Sequence, residues 1–175
     1  KIGIISSLET LNILLEFLHN TSVDPFIVWD PVLSASAGFN LIEKTNEEDL
    51  FRVLKKISLI TPNIPEIKQL MNIKDTAEAA KIMSDYCMVY LKGGHDDSTE
   101  SVYDHLFIDR QRAETFTKNR IKNGNKHGSG CVLSSAIAAN YAHSKNIITA
   151  CHKSSQYMQQ YLSSSTNLIG YHQYA

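Results

Sequence analysis

The sequence predicts an α/β fold: a doubly wound, mostly parallel sheet flanked by helices, with an antiparallel hairpin at one edge. The first observation is a set of short, uninterrupted apolar runs, the pattern of strands that are buried on both faces. The second is that stretches with apolar residues three and four positions apart separate these runs, as in helices packed on a sheet. The third is a pair of alternating runs, residues 102–108 and 114–117, which predicts the hairpin.

Four apolar runs are predicted to be the strands that pair in parallel. They cover residues 2–5, 26–29, 57–60 and 88–91. The second strand is expected to stop at Asp30-Pro31 and the third at Thr61-Pro62, because proline has no N–H to donate to a ladder. A loop rich in Ser, Ala and Gly is expected over residues 34–38.

Six helices are predicted from apolar periodicity and from capping signals. Two are marked by apolar stripes, formed by Leu8, Leu11, Leu15 and Leu18 and by Leu50, Val53, Leu54 and Ile57. Two more are predicted to begin at the capping residues Asn63 and Asp75. The last two are predicted over about residues 129–143 and 147–162.

Length and composition indicate one globular domain over residues 1–175. With 43% hydrophobic residues, 20% charged residues and a formal net charge of −1, nothing favours nucleic acid or a membrane surface as a partner. No apolar run is long enough to span a bilayer, and the first residues do not read as a secretory signal. Cys87, Cys131 and Cys151 are odd in number and widely spaced, which indicates a reducing, cytoplasmic location rather than disulfides or a zinc site.

Polar residues follow three of the predicted strands directly: Asp30, Asn63 with Glu66, and Lys92. Ligands of open α/β sheets bind at the carboxyl ends of the strands, so these side chains are expected at one edge of the sheet. Carboxylate and amide oxygens suit Mg²⁺, and a lysine beside glycines suits nucleotide phosphates. Each also has a purely structural interpretation: a turn aspartate before proline, an N-cap pair, and an exposed lysine on a Gly-Gly turn.

The strongest functional signal is His127-Gly128-Ser129-Gly130-Cys131, which opens an apolar helix. Its glycines let other groups approach the backbone closely, and the first turn of a helix can hold an anion. A thiol at this position is expected to have a lowered pKa and to act as a base. The alternative is a tightly packed helix start with an inert thiol. The chain has no Walker A loop, and no Gly-x-Gly-x-x-Gly follows its first strand.

Five segments, taken together, match one known family in their order and spacing. They are Lys1-Ile2-Gly3, Asp30-Pro31-Val32, Ile60-Thr61-Pro62-Asn63-x-x-Glu66, Leu91-Lys92-Gly93-Gly94-His95 and the glycine-flanked cysteine motif. In these segments the chain resembles the hydroxymethylpyrimidine/phosphomethylpyrimidine kinase family of thiamine biosynthesis, within the ribokinase-like superfamily. The resemblance runs through nearly the whole chain and implies a single ribokinase-like kinase domain that lacks its N-terminal third.

The resemblance implies a phosphoryl transfer. ATP with Mg²⁺ would phosphorylate the hydroxymethyl group of 4-amino-5-hydroxymethyl-2-methylpyrimidine, and then the monophosphate. Cys131 would take the proton of the substrate hydroxyl. The backbone N–H groups of Gly128, Ser129, Gly130 and Cys131 would stabilise charge on the transferring phosphoryl group.

The same resemblance implies roles for the residues that follow the strands. Asn63 and Glu66 would hold Mg²⁺ and its waters, with Asp30 close by. Lys92 would meet the nucleotide phosphates, and Asn63 would lie beside the nucleotide together with the glycine turn.

The resemblance also implies two contacts to the substrate, and the chain departs from the family pattern at a few positions. Val32 and Ile4 would touch the pyrimidine. Ile4 stands where the family usually has Met, and Ser129 keeps the hydroxyl of the usual Thr. Residues 122–126 differ from the segment that usually precedes the glycine turn.

Two other functions remain open at this point. Pyridoxal and pyridoxine kinases of the same superfamily share most of these motifs, although most of them have Asp at the position of Cys131. A catalytically inactive module that binds a nucleotide or a pyrimidine would also keep the sheet and its motifs. The resemblance further implies a homodimer whose ligands are ATP and a small pyrimidine alcohol.

Overall fold

One sheet organises the fold. Among the residues that the structure describes, it has five strands, which neighbour one another in chain order: β1 (Val28–Trp29), β2 (Leu59–Ile60), β3 (Met88–Leu91), β4 (Ser101–Ile108) and β5 (Gln111–Asn119). The pairs β1–β2 and β2–β3 are parallel, whereas β3–β4 and β4–β5 are antiparallel. The hairpin therefore lies at one edge of a sheet whose other strands are parallel, as predicted.

The computed structural model describes residues 1–21, 24–34, 41, 46–94, 100–122, 124 and 126–172. The loop predicted over residues 34–38 lies outside the described residues except for Ser34. His95 of the Lys92 segment also lies outside them, as do residues 123 and 125 before the glycine turn.

The predicted first strand is reduced to a single bridge between Ile2 and Trp29. Ile2 donates its N–H to the carbonyl of Val28 at 2.8 Å and accepts the N–H of Asp30 at 2.9 Å. The ladder stops there because Pro31 has no N–H and because Val32 donates its N–H to the carbonyl of Asp30 at 2.9 Å. Ile2 is thus placed beside β1, and the residues that follow it leave the sheet.

In the described part of the chain, six helices cover the sheet. They are α1 (Leu8–His19), α2 (Glu47–Leu54), α3 (Ile64–Met71), α4 (Thr76–Met83), α5 (Ser129–Ser144) and α6 (Ile147–Ser163). The predicted capping residues Asn63 and Asp75 do cap α3 and α4. Ile57, expected on the stripe of α2, lies beyond its end but is still buried in the core.

The two faces of the sheet carry two separate apolar cores. Trp29 and Ile60 pack with the buried residues of α1 to α4, and Val28 and Leu59 pack with those of α5 and α6. Successive residues of a strand point to opposite faces, so each short strand contributes to both cores. This three-layer arrangement confirms the predicted doubly wound α/β fold and leaves the strand ends as its open edge.

The cysteines outside the glycine turn are small core residues. Cys87 and Cys151 are buried, and burial raises the pKa of each thiol to about 12. None of the three cysteines forms a disulfide. Among the helices of the described residues, none combines the length and the apolar character that a bilayer crossing requires.

Candidate active site

Asp30 is the centre of a buried polar cluster at the carboxyl ends of the strands. It directly follows β1 and is fully buried. Its Oδ1 accepts hydrogen bonds from Lys92 Nζ at 3.0 Å and from Thr61 Oγ1 at 3.2 Å. Its Oδ2 accepts one from Ser134 Oγ of α5 at 3.3 Å and lies 3.7 Å from Lys1 Nζ. The interpretation of Asp30 as a simple turn residue is therefore wrong, because its carboxylate binds side chains from four other segments.

Lys92 lies between two carboxylates. Its Nζ is 3.0 Å from Asp30 Oδ1 and 3.7 Å from Glu66 Oε2, and only 14% of the side chain is exposed. The interpretation of Lys92 as an exposed lysine is therefore wrong, because most of its side chain is buried and its ammonium group contacts both carboxylates. Burial is the largest single influence on Asp30 and would raise its pKa. The charge and hydrogen bond of Lys92, the charge of Lys1 and the hydrogen bond of Thr61 together outweigh it, so the pKa is lowered. Burial dominates at Glu66, where the pKa is raised in spite of Lys92.

Asn63 and Glu66 form the predicted N-cap pair and also belong to the cluster. Glu66 donates its N–H to Asn63 Oδ1 at 2.8 Å, and Asn63 donates its N–H to Glu66 Oε2 at 2.7 Å. This capping box starts α3 and fixes the Glu66 carboxylate beside Lys92. The structural interpretation of this pair as an N-cap is therefore confirmed, and the same capping box places Glu66 beside Lys92.

The N-terminus of α5 lies directly against this cluster. Gly128 precedes the helix with a φ of 77°, a left-handed conformation that favours glycine, and no described side chain caps the helix. A Cβ on Gly130 would lie 3.2 Å from Lys92 Nζ and 3.9 Å from Asp30 Oδ2. The absence of a side chain at Gly130 thus lets the first turn of α5 approach the lysine and the carboxylate closely.

The thiol of Cys131 faces Asp30 and Lys1, and its pKa is raised. Burial is the largest cause, the negative charge of Asp30 adds to it, and the positive charge of Lys1 opposes it. The prediction of a lowered pKa is therefore wrong. Sequence reasoning counted the helix N-terminus but did not weigh the burial of the thiol or the negative charge of Asp30 beside it.

The two residues predicted to contact the substrate differ in exposure. Val32 is half-buried, whereas Ile4 is 62% exposed. The N–H of Ser129 donates to the carbonyl of Lys126 at 3.3 Å, whereas the N–H groups of Gly130 and Cys131 belong to the first turn of α5, whose amides have no acceptor within the helix.

Three contributors to the cluster escaped the sequence analysis: Lys1, Thr61 and Ser134. Two of them had a usable signal. Thr61 follows β2 as Asp30 follows β1, so parallel pairing places them side by side. Ser134 is one helical turn after Gly130 and faces the same way. Nothing in the sequence indicated that the Lys1 side chain folds back over Gly3 to reach Asp30.

An open groove begins at Cys131 and has a volume of about 580 Å³. It follows α5 past Ser135 to Asn140 and is bordered by Tyr157 and His172. The volume falls within the range of small-molecule sites, but none of Asp30, Lys92 and Glu66 lines the groove, so it extends along α5 away from the polar cluster.

The described residues contain no cluster of three or more His, Cys, Asp and Glu side chains, and both oxygens of Asp30 already accept hydrogen bonds from other side chains. One ammonium group already contacts both Asp30 and Glu66, so both carboxylates can reach a single cation. Asn63 Oδ1 accepts the Glu66 N–H, which leaves its second lone pair for a further contact.

A lysine held between carboxylates lies at the ends of parallel strands with a helix N-terminus against it, at the edge of the sheet where open α/β proteins bind their ligands. The family model described as phosphomethylpyrimidine kinase matches residues 1–174. The chain therefore belongs to the phosphomethylpyrimidine kinase family, as the sequence motifs predicted.

Individual relatives agree with this assignment. A hydroxymethylpyrimidine/phosphomethylpyrimidine kinase from Aquifex aeolicus is 32% identical, over 96% of this chain and 68% of its own length. One from Staphylococcus aureus (strain MSSA476) is 26% identical over 90% of this chain, and the match spans 60% of that relative. The structure of Staphylococcus aureus pyridoxal kinase in complex with AMP-PCP superposes with a TM-score of 0.78 at 23% identity, covering 93% of this chain and 61% of that one. That likeness shows the shared fold.

Proposed function

We propose that this chain is part of a kinase that uses ATP to phosphorylate 4-amino-5-hydroxymethyl-2-methylpyrimidine and its monophosphate in thiamine biosynthesis. The observation that carries the proposal is the contact between the first turn of α5 and the Asp30–Lys92–Glu66 cluster. Phosphoryl transfer needs positioning and positively charged groups more than covalent chemistry, and this contact brings two such groups together, the Lys92 ammonium and the N-terminus of α5. The membership of the family and the names of its relatives favour this substrate class.

The transferring phosphoryl group would lie between Lys92 and the N-terminus of α5. Lys92 donates to the terminal phosphates, and the N–H groups of Gly130 and Cys131 donate to the oxygens that gain charge in the transition state. Gly128 shapes the turn that directs these amides, and Ser129 lies beside them. Because the donors are fixed by the fold before the substrate binds, little reorganisation is needed during the transfer.

Cys131 would accept the proton of the substrate hydroxyl. Its raised pKa keeps most of the thiol protonated at neutral pH, so the base works from a minority of thiolate, the form that Lys1 favours. Val32 and Ile4 would contact the pyrimidine ring from the side of Asp30, and the exposed surface of Ile4 is available for that contact.

Mg²⁺ is the metal ion that this donor set fits. Asp30 and Glu66 would hold the ion directly or through water, and Asn63 would bind one of its waters. When bound, Mg²⁺ would neutralise charge on the nucleotide phosphates. The chain's own residues orient this site: Thr61 and Ser134 hold Asp30, and the capping box holds Glu66.

A pyridoxal or pyridoxine kinase is the second candidate, because the fold is shared with a pyridoxal kinase. Cys131 favours the pyrimidine substrate over this alternative. An inactive nucleotide- or pyrimidine-binding module is the third candidate.

A cytoplasmic homodimer stays part of the proposal. The free cysteines favour the cytoplasm, and sedimentation of the full-length protein measures the oligomeric state.

The test is an assay of ADP release by the full-length protein with ATP and Mg²⁺. The pyrimidine alcohol and pyridoxal are compared by kcat/KM under the same conditions. We expect the pyrimidine alcohol to be preferred by at least about tenfold, the discrimination expected from one satisfied polar contact. Preference for pyridoxal would replace the first candidate with the second. Binding of ATP without ADP release from either alcohol would leave only the inactive module.

A further inference from the structure

A second buried charge lies on β4, the strand that pairs with β3 just before Lys92. Asp104 of β4 is buried, with 2% of its surface exposed. Its Oδ1 accepts the N–H of Gly93 at 2.9 Å, and its Oδ2 accepts the hydroxyl of Tyr90 at 2.8 Å. The ammonium group of Lys118 on β5 also donates to Oδ2. One carboxylate of the hairpin thus joins β3, β5 and the residue directly after Lys92.

The backbone at Lys92 and Gly93 is fixed from three sides. The N–H of Lys92 donates to the carbonyl of Pro62 at 2.9 Å. A Cβ on Gly93 would lie 1.9 Å from the carbonyl oxygen of Tyr103, so the backbone of β4 presses against this glycine. The third contact is the hydrogen bond from the Gly93 N–H to the Asp104 carboxylate. Any change in that hydrogen bond acts on the backbone from which the Lys92 side chain leaves the sheet.

A buried ion pair is a poor means of stabilising a hairpin, because desolvation of both charges offsets their attraction. An apolar pair of similar size in place of Asp104 and Lys118 could pack equally well but could not accept the Gly93 N–H. We propose that Asp104 is a positioning residue for Lys92, and that its hydrogen bond to Gly93 keeps the Lys92 ammonium between Asp30 and Glu66. This inference rests on the proposed function, in which Lys92 binds the nucleotide phosphates.

The neighbours of Asp104 hold its carboxylate in the orientation that this role requires. Burial raises the pKa of the Tyr90 phenol, so the hydroxyl stays protonated and donates. Lys118, of which 10% of the side chain is exposed, donates to the same oxygen. Both donors occupy Oδ2, which leaves Oδ1 for Gly93.

The test compares two double variants of the full-length protein. Both Asp104→Asn/Lys118→Met and Asp104→Leu/Lys118→Met remove the ion pair and balance the charge. Only the first keeps an oxygen that can accept the Gly93 N–H. Two quantities are measured: the rate at which acetic anhydride modifies Lys92 without nucleotide, followed by mass spectrometry, and the KM for ATP together with kcat. Thermal unfolding of both variants establishes that they are folded.

We expect Lys92 to react about tenfold faster, and the KM for ATP to be about tenfold higher, in the Leu variant than in the Asn variant. Equal modification rates in the two variants would overturn the inference. So would unequal rates with an unchanged KM, because the hydrogen bond would then not matter for the nucleotide. If the unaltered protein neither binds nor turns over ATP, the proposed function fails. The modification rates still decide whether Asp104 positions Lys92.

Discussion

Replacing Cys131 with alanine is expected to lower kcat by about 10²- to 10⁴-fold, the contribution typical of a general base. The thiol faces Asp30 and Lys1 at the first turn of α5, where the proposed substrate hydroxyl and phosphoryl group meet. The backbone N–H groups stay in place in the variant, so we expect nucleotide binding to change little. Steady-state kinetics of ADP release, with separate kcat and KM values, measure both effects.

The matched control for this variant is Cys87→Ala. It removes a buried thiol just before β3, at the opposite end of that strand from Lys92. We expect the control to lose some stability and to keep its kcat. If Cys131→Ala turned over ATP at the rate of the unaltered protein, Cys131 would have no part in the reaction.

The pH dependence of the unaltered protein belongs to the same prediction. Because the pKa of Cys131 is raised, the thiolate fraction grows as the pH rises above neutral. The rate kcat should therefore increase over that range, and this increase should be absent in Cys131→Ala. A rate that stayed flat with pH in the unaltered protein would argue against a thiolate base.

Replacing Lys92 with methionine is expected to have the second large effect, because it changes activity and stability together. The loss of one fixed donor to the transferring group should lower kcat/KM by about 10²- to 10³-fold. The change also leaves the fully buried Asp30 and the nearby Glu66 without their shared cation. Breaking a buried pair in this way should lower the free energy of unfolding by about 3–5 kcal/mol at neutral pH.

The loss of stability in Lys92→Met should shrink in acid. In the unaltered protein the pKa of Asp30 is lowered, so its ionised form stabilises the fold at neutral pH, and this contribution disappears as the pH falls through the folded-state pKa. Without Lys92, burial dominates and the pKa of Asp30 rises. Asp30 in the variant therefore becomes protonated at a higher pH than in the unaltered protein, and protonation removes the cost of burying its unpaired charge. Denaturant unfolding at neutral and acidic pH measures the difference.

Lys56→Met is the matched control for this lysine. Lys56 pairs with Glu16 at 3.0 Å, and the glutamate is more than half exposed. Such an exposed pair contributes little to stability because solvent screens it, so the control should keep its activity and most of its stability. A stability difference between the unaltered protein and Lys92→Met that was the same at both pH values would contradict the assignment of the effect to Asp30.

Much of the fold follows from local sequence patterns. The four apolar residues of β3 and the capping signals at Asn63 and Asp75 appear in the structure where they were predicted. The first predicted strand does not form beyond one bridge, because its pairing depends on which backbone N–H and C=O groups the neighbouring segment leaves free. The turn from Asp30 to Val32 uses the polar groups that would continue the ladder. Apolar runs predict that a strand is buried, and the partner decides how far it pairs.

The site was predictable to the extent that sheet topology alone brings residues together. Residues that follow parallel strands share an edge, so Asp30 and Lys92 could be placed near each other before any coordinates. The raised pKa of Cys131 could not be predicted in this way, because it depends on how deeply the thiol is buried and on how closely it approaches the Asp30 carboxylate. The contribution of Lys1 was hidden for a different reason: it depends on the path of one long side chain over Gly3.

The most direct test of the central claim is a crystal structure of the full-length protein with AMP-PCP and Mg²⁺. We predict that oxygens of the terminal phosphoryl group lie within hydrogen-bond distance, about 2.7–3.2 Å, of Lys92 Nζ and of the N–H groups of Gly130 and Cys131. A nucleotide bound elsewhere, with its terminal phosphoryl group away from both Lys92 and the first turn of α5, would contradict the account.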